Sequence, residues 1–455
     1  ARALARRGDA DSVAAYFEAE DAVDDLVRAA PFGQGQQLTA LQAQESSQEL
    51  LSLLLQRERV ADAYALTVRA ARRTWAANFR AGRIAALHGP QKARWDRAVA
   101  EYLTRRQALE RAARDDWRLS SEGLLHTRLS RALELQRLEN ALAEAYSLLA
   151  EEPVEELPRP SQDAELTLAR GSDGWFAFLS RGDDTPRVER LSDVARDLGA
   201  ALERFEREKL LDVPLLRVVV PPELSTLDVH ALEVGGQPLI ARVPVAYSFE
   251  PGRAQPSSPH ARARGPLVLG NPNDDLPWAL AEAQRLSQRL TGAVSLFGGR
   301  VSRASVESYL PTASLLHFAG HASSGGLDGL DGALHLAGGQ RLSFGDVFAL
   351  RGVPELVVLS ACTSSVSHGS GAGLGIGQAF VAAGSRAVVG SSRDVSDRLA
   401  RDFTQRFYDA LLGASSRAVL PRDHYAWASA FRVASMKVMS EDPGADWASL
   451  RLLVP

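Results

Sequence analysis

The sequence predicts an α/β fold with a mostly parallel sheet, preceded by an all-α region, and three observations carry this. From Ala1 to about Glu152 apolar residues recur only at helical spacing. A proline- and acid-rich stretch, Glu151-Glu-Pro-Val-Glu-Glu-Leu-Pro-Arg-Pro160, then interrupts the pattern, and proline fixes φ and removes donors. From Gly265 short apolar runs alternate with helix-length segments. The expected domains are therefore a helical region, 1–155, and an α/β domain, 156–455, divided into 156–262 and 263–455.

In the helical region, Leu50, Leu51, Leu53, Leu54 and Leu55 precede a polar break at Gln56 to Glu58. Val60, Ala61, Ala63, Leu66 and Ala70 then resume the period, which predicts an antiparallel helix pair. A second pair is expected over Gln91 to Trp117 and Ser121 to Glu151, the latter striped by Leu125, Leu129, Leu135, Leu138, Leu142 and Leu149. Such pairs either pack on themselves as a bundle or stack as helical-hairpin repeats that bind a partner.

Beyond the boundary, Glu165-Leu-Thr-Leu-Ala and Trp175-Phe-Ala-Phe-Leu flank Gly171-Ser-Asp-Gly174 and predict a β-hairpin. A helix over Val194 to Lys209 and strands over Leu215 to Val220 and Pro244 to Ser248 follow. The regular alternation is strand Pro266 to Leu269, helix Pro277 to Leu290, strand Leu315 to Ala319, helix Phe344 to Leu350, strand Leu356 to Leu359, helix Leu374 to Ala383 and strand Ala387 to Val389. Parallel strands buried on both faces are continuously apolar, as Leu-Val-Val-Leu and Ala-Val-Val are here. Ligand sites in such sheets lie beyond the carboxyl ends of the strands, where His321 and Cys362 fall.

At 455 residues and 45 % hydrophobic content the chain can build two or three cores. A formal net charge of −4 argues against broad attraction to nucleic acid or anionic membrane, and neither partner is expected. Cys362 is the only cysteine, which rules out an intramolecular disulfide and suits a reducing, cytoplasmic setting. No stretch approaches the roughly 18 apolar residues of a membrane span. The basic opening Ala1-Arg-Ala-Leu-Ala-Arg-Arg-Gly lacks the apolar core of a signal peptide, and the absence of an initial Met suits a processed product or a piece of something longer.

A thiol and an imidazole on consecutive parallel strands are the minimum parts of a cysteine hydrolase. Cys362 supplies the sulfur, and His321 supplies a side chain whose ordinary titration lies near neutrality. The backbone N–H groups of Cys362 and Ala322 are the candidate oxyanion donors. His317 precedes His321 by four residues, but on a strand that interval spans roughly 13 Å, too far to share a metal. A structural role is expected for His317, loop positions without partners for His335 and His368, and no metal or cofactor. Gly369-Ser-Gly-Ala-Gly-Leu-Gly-Ile-Gly377 lacks the dinucleotide spacing and any lysine, so it is expected to be a flexible loop beside the nucleophile. Ser364 to Gly373, which overlaps its first half, is a candidate order–disorder element.

His317-Phe-Ala-Gly-His-Ala322, Leu359-Ser-Ala-Cys362, Gln378-Ala-Phe-Val-Ala-Ala-Gly-Ser-Arg-Ala-Val-Val389 and Trp447-Ala-Ser-Leu-Arg-Leu-Leu453 together resemble the CHAT family, caspase-like peptidases commonly attached to tetratricopeptide repeats. The resemblance runs from about Ser161 to Pro455 and includes Leu267-Val-Leu-Gly-Asn-Pro272. It implies a three-layer caspase-like fold, His321 as catalytic histidine, Cys362 as nucleophile and control by the helical region. It also implies a role in bacterial defence or cell death. Two departures stand out: Ala322 replaces the usual glycine, and the usual tryptophan-proline after the last core strand is absent.

In its place Gly390-Ser-Ser-Arg-Asp-Val-Ser-Asp397 resembles the corresponding segment of separases, where an aspartate helps bind an arginine before the cut. Asp394 or Asp397 would then bind a guanidinium, unless one of them caps the helix expected from about Val395 to Leu412. The expected function is a cysteine endopeptidase cutting a protein substrate after a basic residue, with a regulatory protein on the helical region. The alternatives are a catalytically silent caspase-like scaffold that acts through its helices, and an acyl transferase or esterase using the same pair.

Overall fold

The computed structural model describes residues 11–29, 34–75, 87–113, 116–150, 162–182, 184–249, 265–323, 332–350, 352–362, 364–365, 375–413 and 419–455. The helical region comprises α1 (Ser12–Ala29), α2 (Gln34–Gln56), α3 (Val60–Trp75), α4 (Gly89–Ala113) and α5 (Ser121–Ala150). The turn between α2 and α3 falls at the polar break, where Glu58 takes a left-handed φ of 57° and Arg59 N–H donates to Leu54 O at 2.9 Å. Trp117 lies in a short 3-10 turn between α4 and α5 rather than at the end of α4. The proposed domain boundary, 151–160, lies outside the described residues.

The remaining elements are β1 (Ala164–Gly171), β2 (Gly174–Arg181), β3 (Arg187–Leu191), α6 (Val194–Arg207), β4 (Leu216–Val219), β5 (Glu233–Val234), β6 (Gln237–Pro238), β7 (Val245–Ser248), β8 (Gly265–Gly270) and α7 (Pro277–Arg289). They continue with β9 (Val294–Phe297), α8 (Arg303–Tyr309), β10 (Ala313–Ala319), β11 (Ala322–Ser323), β12 (Ala333–His335), β13 (Arg341–Ser343) and α9 (Phe344–Ala349). The chain closes with β14 (Leu356–Ser360), α10 (Ile376–Ala383), β15 (Ala387–Ser391), α11 (Asp397–Leu412), α12 (His424–Glu441) and β16 (Leu450–Val454).

One eleven-stranded sheet has the order β3-β2-β1-β4-β7-β16-β15-β14-β10-β8-β9. β1, β4, β7 and β16 form one parallel block and β15, β14, β10, β8 and β9 another; they meet antiparallel where β16 pairs with β15. The expected strands and crossover helices are present, and β16, β9, β3 and the small β11–β13 sheet are additions. β16 was masked by Arg451, whose buried guanidinium reaches Asp228 at 2.9 Å and lies over the Tyr247 ring at 4.5 Å.

Alternate residues of the central strands feed cores on opposite faces, which makes three layers. Leu315, Val358, Phe403, Phe407 and Phe431 pack beneath α7, α11 and α12. Leu316, Phe318, Val357, Val306 and Phe380 pack beneath α6, α8, α9 and α10.

The helical region packs on this sheet. Leu50, Leu54, Ala63 and Tyr64 bury against Phe176 and Phe178 of the β1–β2 hairpin, and full burial of a phenylalanine stabilises by about 1.5–3 kcal/mol. The Tyr64 hydroxyl donates to Glu165 at 2.5 Å and lies 2.9 Å from Ser180 Oγ. Further along, Tyr102 of α4 seats against Gly345 at the start of α9, 3.4 Å from Ser343 Oγ.

Candidate active site

The register of β10 on β14 runs from Leu315 opposite Leu356 to Ala319 opposite Ser360, and Gly320 N–H donates to Ser360 O at 3.2 Å. His321 and Cys362 each lie two residues past the last pair, on neighbouring strand tips. Adjacent strands are spaced by about 4.8 Å. The site lies beside a topological switch point, because β9 sits outside β8 and the chain returns over β8 to make β10.

The next tip, that of β8, supplies a residue that was not expected. Asn271 N–H donates to Ala319 O at 2.8 Å, and the chain turns with Asn271 and Asp274 at positive φ. Asn271 Oδ1 accepts from the N–H groups of Asp275 (3.0 Å) and Leu276 (2.9 Å), which folds the loop back on itself. Asp275 Oδ2 thereby stands 2.9 Å from His321 Nε2, with the two side chains 52 % and 41 % exposed. An ionised carboxylate only accepts, so Nε2 carries the hydrogen and Nδ1 is the basic nitrogen of the neutral ring.

Cys362 is half-buried, and its sulfur donates to Val395 O at 3.4 Å. The segment leading to Val395 is held by Arg393, which bridges Asp228 at 2.7 Å and Asp446 at 2.5 Å, and by Ser391 Oγ, which donates to Ala361 O at 2.8 Å. Among the described residues no hydrogen bond joins the Cys362 sulfur to the His321 ring. Catalytic hydrogen bonds are often long or misaligned before substrate binds.

His335 departs from expectation. It ends β12 rather than lying in a loop, its N–H donates to His321 O at 2.9 Å, and its ring lies 6.4 Å from the His321 ring. Burial, then Arg341 and His321, lowers its pKa and favours the neutral imidazole. His317 is fully buried beside Glu282, and His368 lies outside the described residues, as do 369–374 of the glycine-rich loop. Ala322 begins β11 opposite Leu334.

Asp394 is exposed beside Val395, and no hydrogen bond or ion pair to its carboxylate is found among the described residues. Asp397 is half-buried, and its Oδ2 accepts from Trp278 N–H at 3.2 Å, at the start of α7, whose own N-cap Leu276 supplies no acceptor. Burial raises its pKa. The N-cap of α11 is Ser396, which accepts from Leu399 N–H, so neither aspartate caps that helix. Among the described residues no group of three or more His, Cys, Asp or Glu could hold a metal ion, and no helix is long and apolar enough to cross a membrane.

The mostly parallel sheet with helices on both faces defines a three-layer α/β protein with a thiol and an imidazole at adjacent carboxyl ends of its strands. The chain belongs to the CHAT domain family, whose model matches residues 192–453. No curated protein matches the chain. Among solved structures, the Arg-specific cysteine proteinase gingipain R is similar with a TM-score of 0.40 and 11 % identity, over 58 % of this chain and 68 % of that one. A complex of Porphyromonas gingivalis RgpB pro- and mature domains is similar with a TM-score of 0.38 and 12 % identity, over 57 % and 68 %. The Saccharomyces cerevisiae separase–securin complex matches with a TM-score of 0.38 and 11 % identity, over 92 % of this chain but only 27 % of that one.

Proposed function

We propose that this protein is a cysteine endopeptidase in which Cys362 is the nucleophile and His321 the proton carrier. The observation that carries the reading is the position of His321 and Cys362 at neighbouring strand tips, with Asp275 from the loop after the next strand 2.9 Å from the imidazole nitrogen that would otherwise compete for the thiol proton. The thiol leaves the Val395 carbonyl as substrate enters and passes its proton to His321 Nδ1. The sulfur attacks the scissile carbonyl, and the Cys362 and Ala322 amides receive the oxyanion. The imidazolium protonates the leaving amine, and water then hydrolyses the thioester.

The exposed Asp394 supports a preference for a basic residue before the cut, since a carboxylate binds a guanidinium through charge-assisted hydrogen bonds. Asp397 is the second candidate, with one oxygen already held by α7. The protein substrate is cut in the cytoplasm, within a bacterial defence or cell-death pathway. The helical region, through repeat-like pairs, restrains or recruits the peptidase by answering to a regulatory protein. The packing of α2 and α3 on the β1–β2 hairpin supports such a connection.

The test is a peptide library differing at the residue before the cut, incubated with the parent and with Cys362→Ala. Cleavage after arginine or lysine, abolished in the folded variant, is expected. Retained turnover in the variant would remove the nucleophile assignment, and equal cleavage after aspartate would remove the specificity assignment.

A further inference from the structure

Beneath the candidate dyad lies a buried polar network that the proposed chemistry does not use. Glu282 of α7 is 7 % exposed and His317 of β10 is fully buried. Ser360 Oγ, the last residue of β14, donates to Glu282 Oε2 at 3.0 Å, and Thr404 Oγ1 of α11 donates to Oε1 at 2.7 Å. His317 Nε2 stands 3.1 Å from the same Oε1, in a contact oblique to the ideal hydrogen-bond line, while its Nδ1 lies 3.2 Å from the Tyr408 hydroxyl. Removing a carboxylate from water is costly unless other donors replace the water, and these groups take its place.

The position of the network matters more than its composition. His317 lies four residues before His321 on the same strand, and Ser360 lies two residues before Cys362. Side chains alternate along strands, so His317 and Ser360 share the face covered by α7 and α11, just before the tips that bear His321 and Cys362. One carboxylate therefore touches both strands whose tips bear the candidate pair, by a hydrogen bond at Ser360 and a close polar contact at His317. The helix that carries it starts two residues after Asp275, which bonds His321 directly, and its N-terminus is held by Asp397. A cavity of about 200 Å³ lined by Glu282, Arg285, Thr404 and Tyr408 opens between α7 and α11, so apolar packing is interrupted at this level.

We infer that Glu282 is a positioning residue: through His317 and Ser360 it braces β10 against β14 and fixes the spacing of His321 and Cys362. The inference rests on the reading of those two residues as the catalytic pair. Glu282→Gln keeps the shape but replaces one acceptor with an NH2 group, which faces a donor and cannot maintain both arms.

The test exploits the single cysteine: iodoacetamide alkylation of the full chain, followed by mass spectrometry from about pH 5 to 9, reports on Cys362 alone. In Glu282→Gln the neutral-pH rate should fall on the order of tenfold and the profile should approach that of His321→Ala. Leu286→Val, a buried change one turn along the same helix that borders the same cavity but makes none of the network's hydrogen bonds, should lower the melting temperature while its profile superimposes on the parent's. If Glu282→Gln does not fold, Ser360→Ala removes one arm and should move the profile the same way by a smaller amount. A Glu282→Gln or Ser360→Ala profile coincident with the parent's overturns the inference, as does an equal change in Leu286→Val. A parent profile identical to that of His321→Ala would instead defeat the dyad reading itself.

Discussion

Asp275 Oδ2 lies 2.9 Å from Nε2 of His321, and this contact decides which face of the imidazole is basic. Asp275→Asn keeps the size but removes the charge and allows the ring to take the other tautomer. Turnover of a peptide substrate should fall about 10- to 100-fold, mainly in kcat. The melting temperature should change little, because both side chains are about half exposed. An unchanged kcat would remove Asp275 from the site.

The two aspartates after β15 should separate by readout. Asp394→Asn should reduce the preference for arginine before the cut by about 1.5–3 kcal/mol, measured as a ratio of kcat/KM values, and leave stability alone. Asp397→Asn weakens the cap that Trp278 N–H uses and should cost about 0.5–2 kcal/mol in chemical denaturation. Equal effects of both variants on specificity would merge their roles.

Gly345 is one of the points at which the helical region seats on the α/β domain. A Cβ there would overlap the Tyr102 hydroxyl, with the ring carbon behind it at 2.8 Å. Gly345→Ala should destabilise the protein by about 1–3 kcal/mol, and Tyr102→Phe in the same chain should recover part of that loss. Denaturation of both variants and the double variant checks the coupling; strict additivity would show that the two positions do not clash.

His230 is buried, with Nδ1 2.7 Å from the Tyr247 hydroxyl, and burial, then Arg451 and Arg393, pushes its pKa down to about 3. The unfolded chain binds this proton below its ordinary value near 6.5 while the folded chain does not. Stability from this group is therefore complete above pH 6.5 and declines as pH falls towards about 3. The loss should be about 1.4 kcal/mol by pH 5.5. Because Asp163 and Asp397 shift the opposite way, the difference between parent and His230→Gln isolates the effect. Parallel melting-temperature curves for the two proteins would contradict it.

Much of this arrangement was legible in the sequence because buried parallel strands write themselves as continuous apolar runs. Leu356 to Leu359 and Leu315 to Ala319 located the tips that bear Cys362 and His321. Strands that depart from that rule were lost: β9 is a half-buried edge strand, and β16 carries a charged residue neutralised by a partner more than 200 positions away. Asp275 escaped for a similar reason. The signal was the acidic pair Asp274–Asp275 just after the apolar run ending at Gly270, but its bond to His321 depends on Asn271 folding the loop back. Glu282 was an isolated acid among Ala279, Ala283 and Leu286 on the buried face of α7, which periodicity alone reads as a tolerated exception.

The most direct test of the central claim is the rate at which a peptidyl chloromethyl ketone ending in arginine labels Cys362, compared between the parent and His321→Ala. A paired thiol and imidazole should give a single adduct at Cys362 in the parent and a rate at least about 100-fold lower in the variant. Equal labelling of the two proteins, at the rate of an ordinary thiol, would mean that His321 does not activate Cys362.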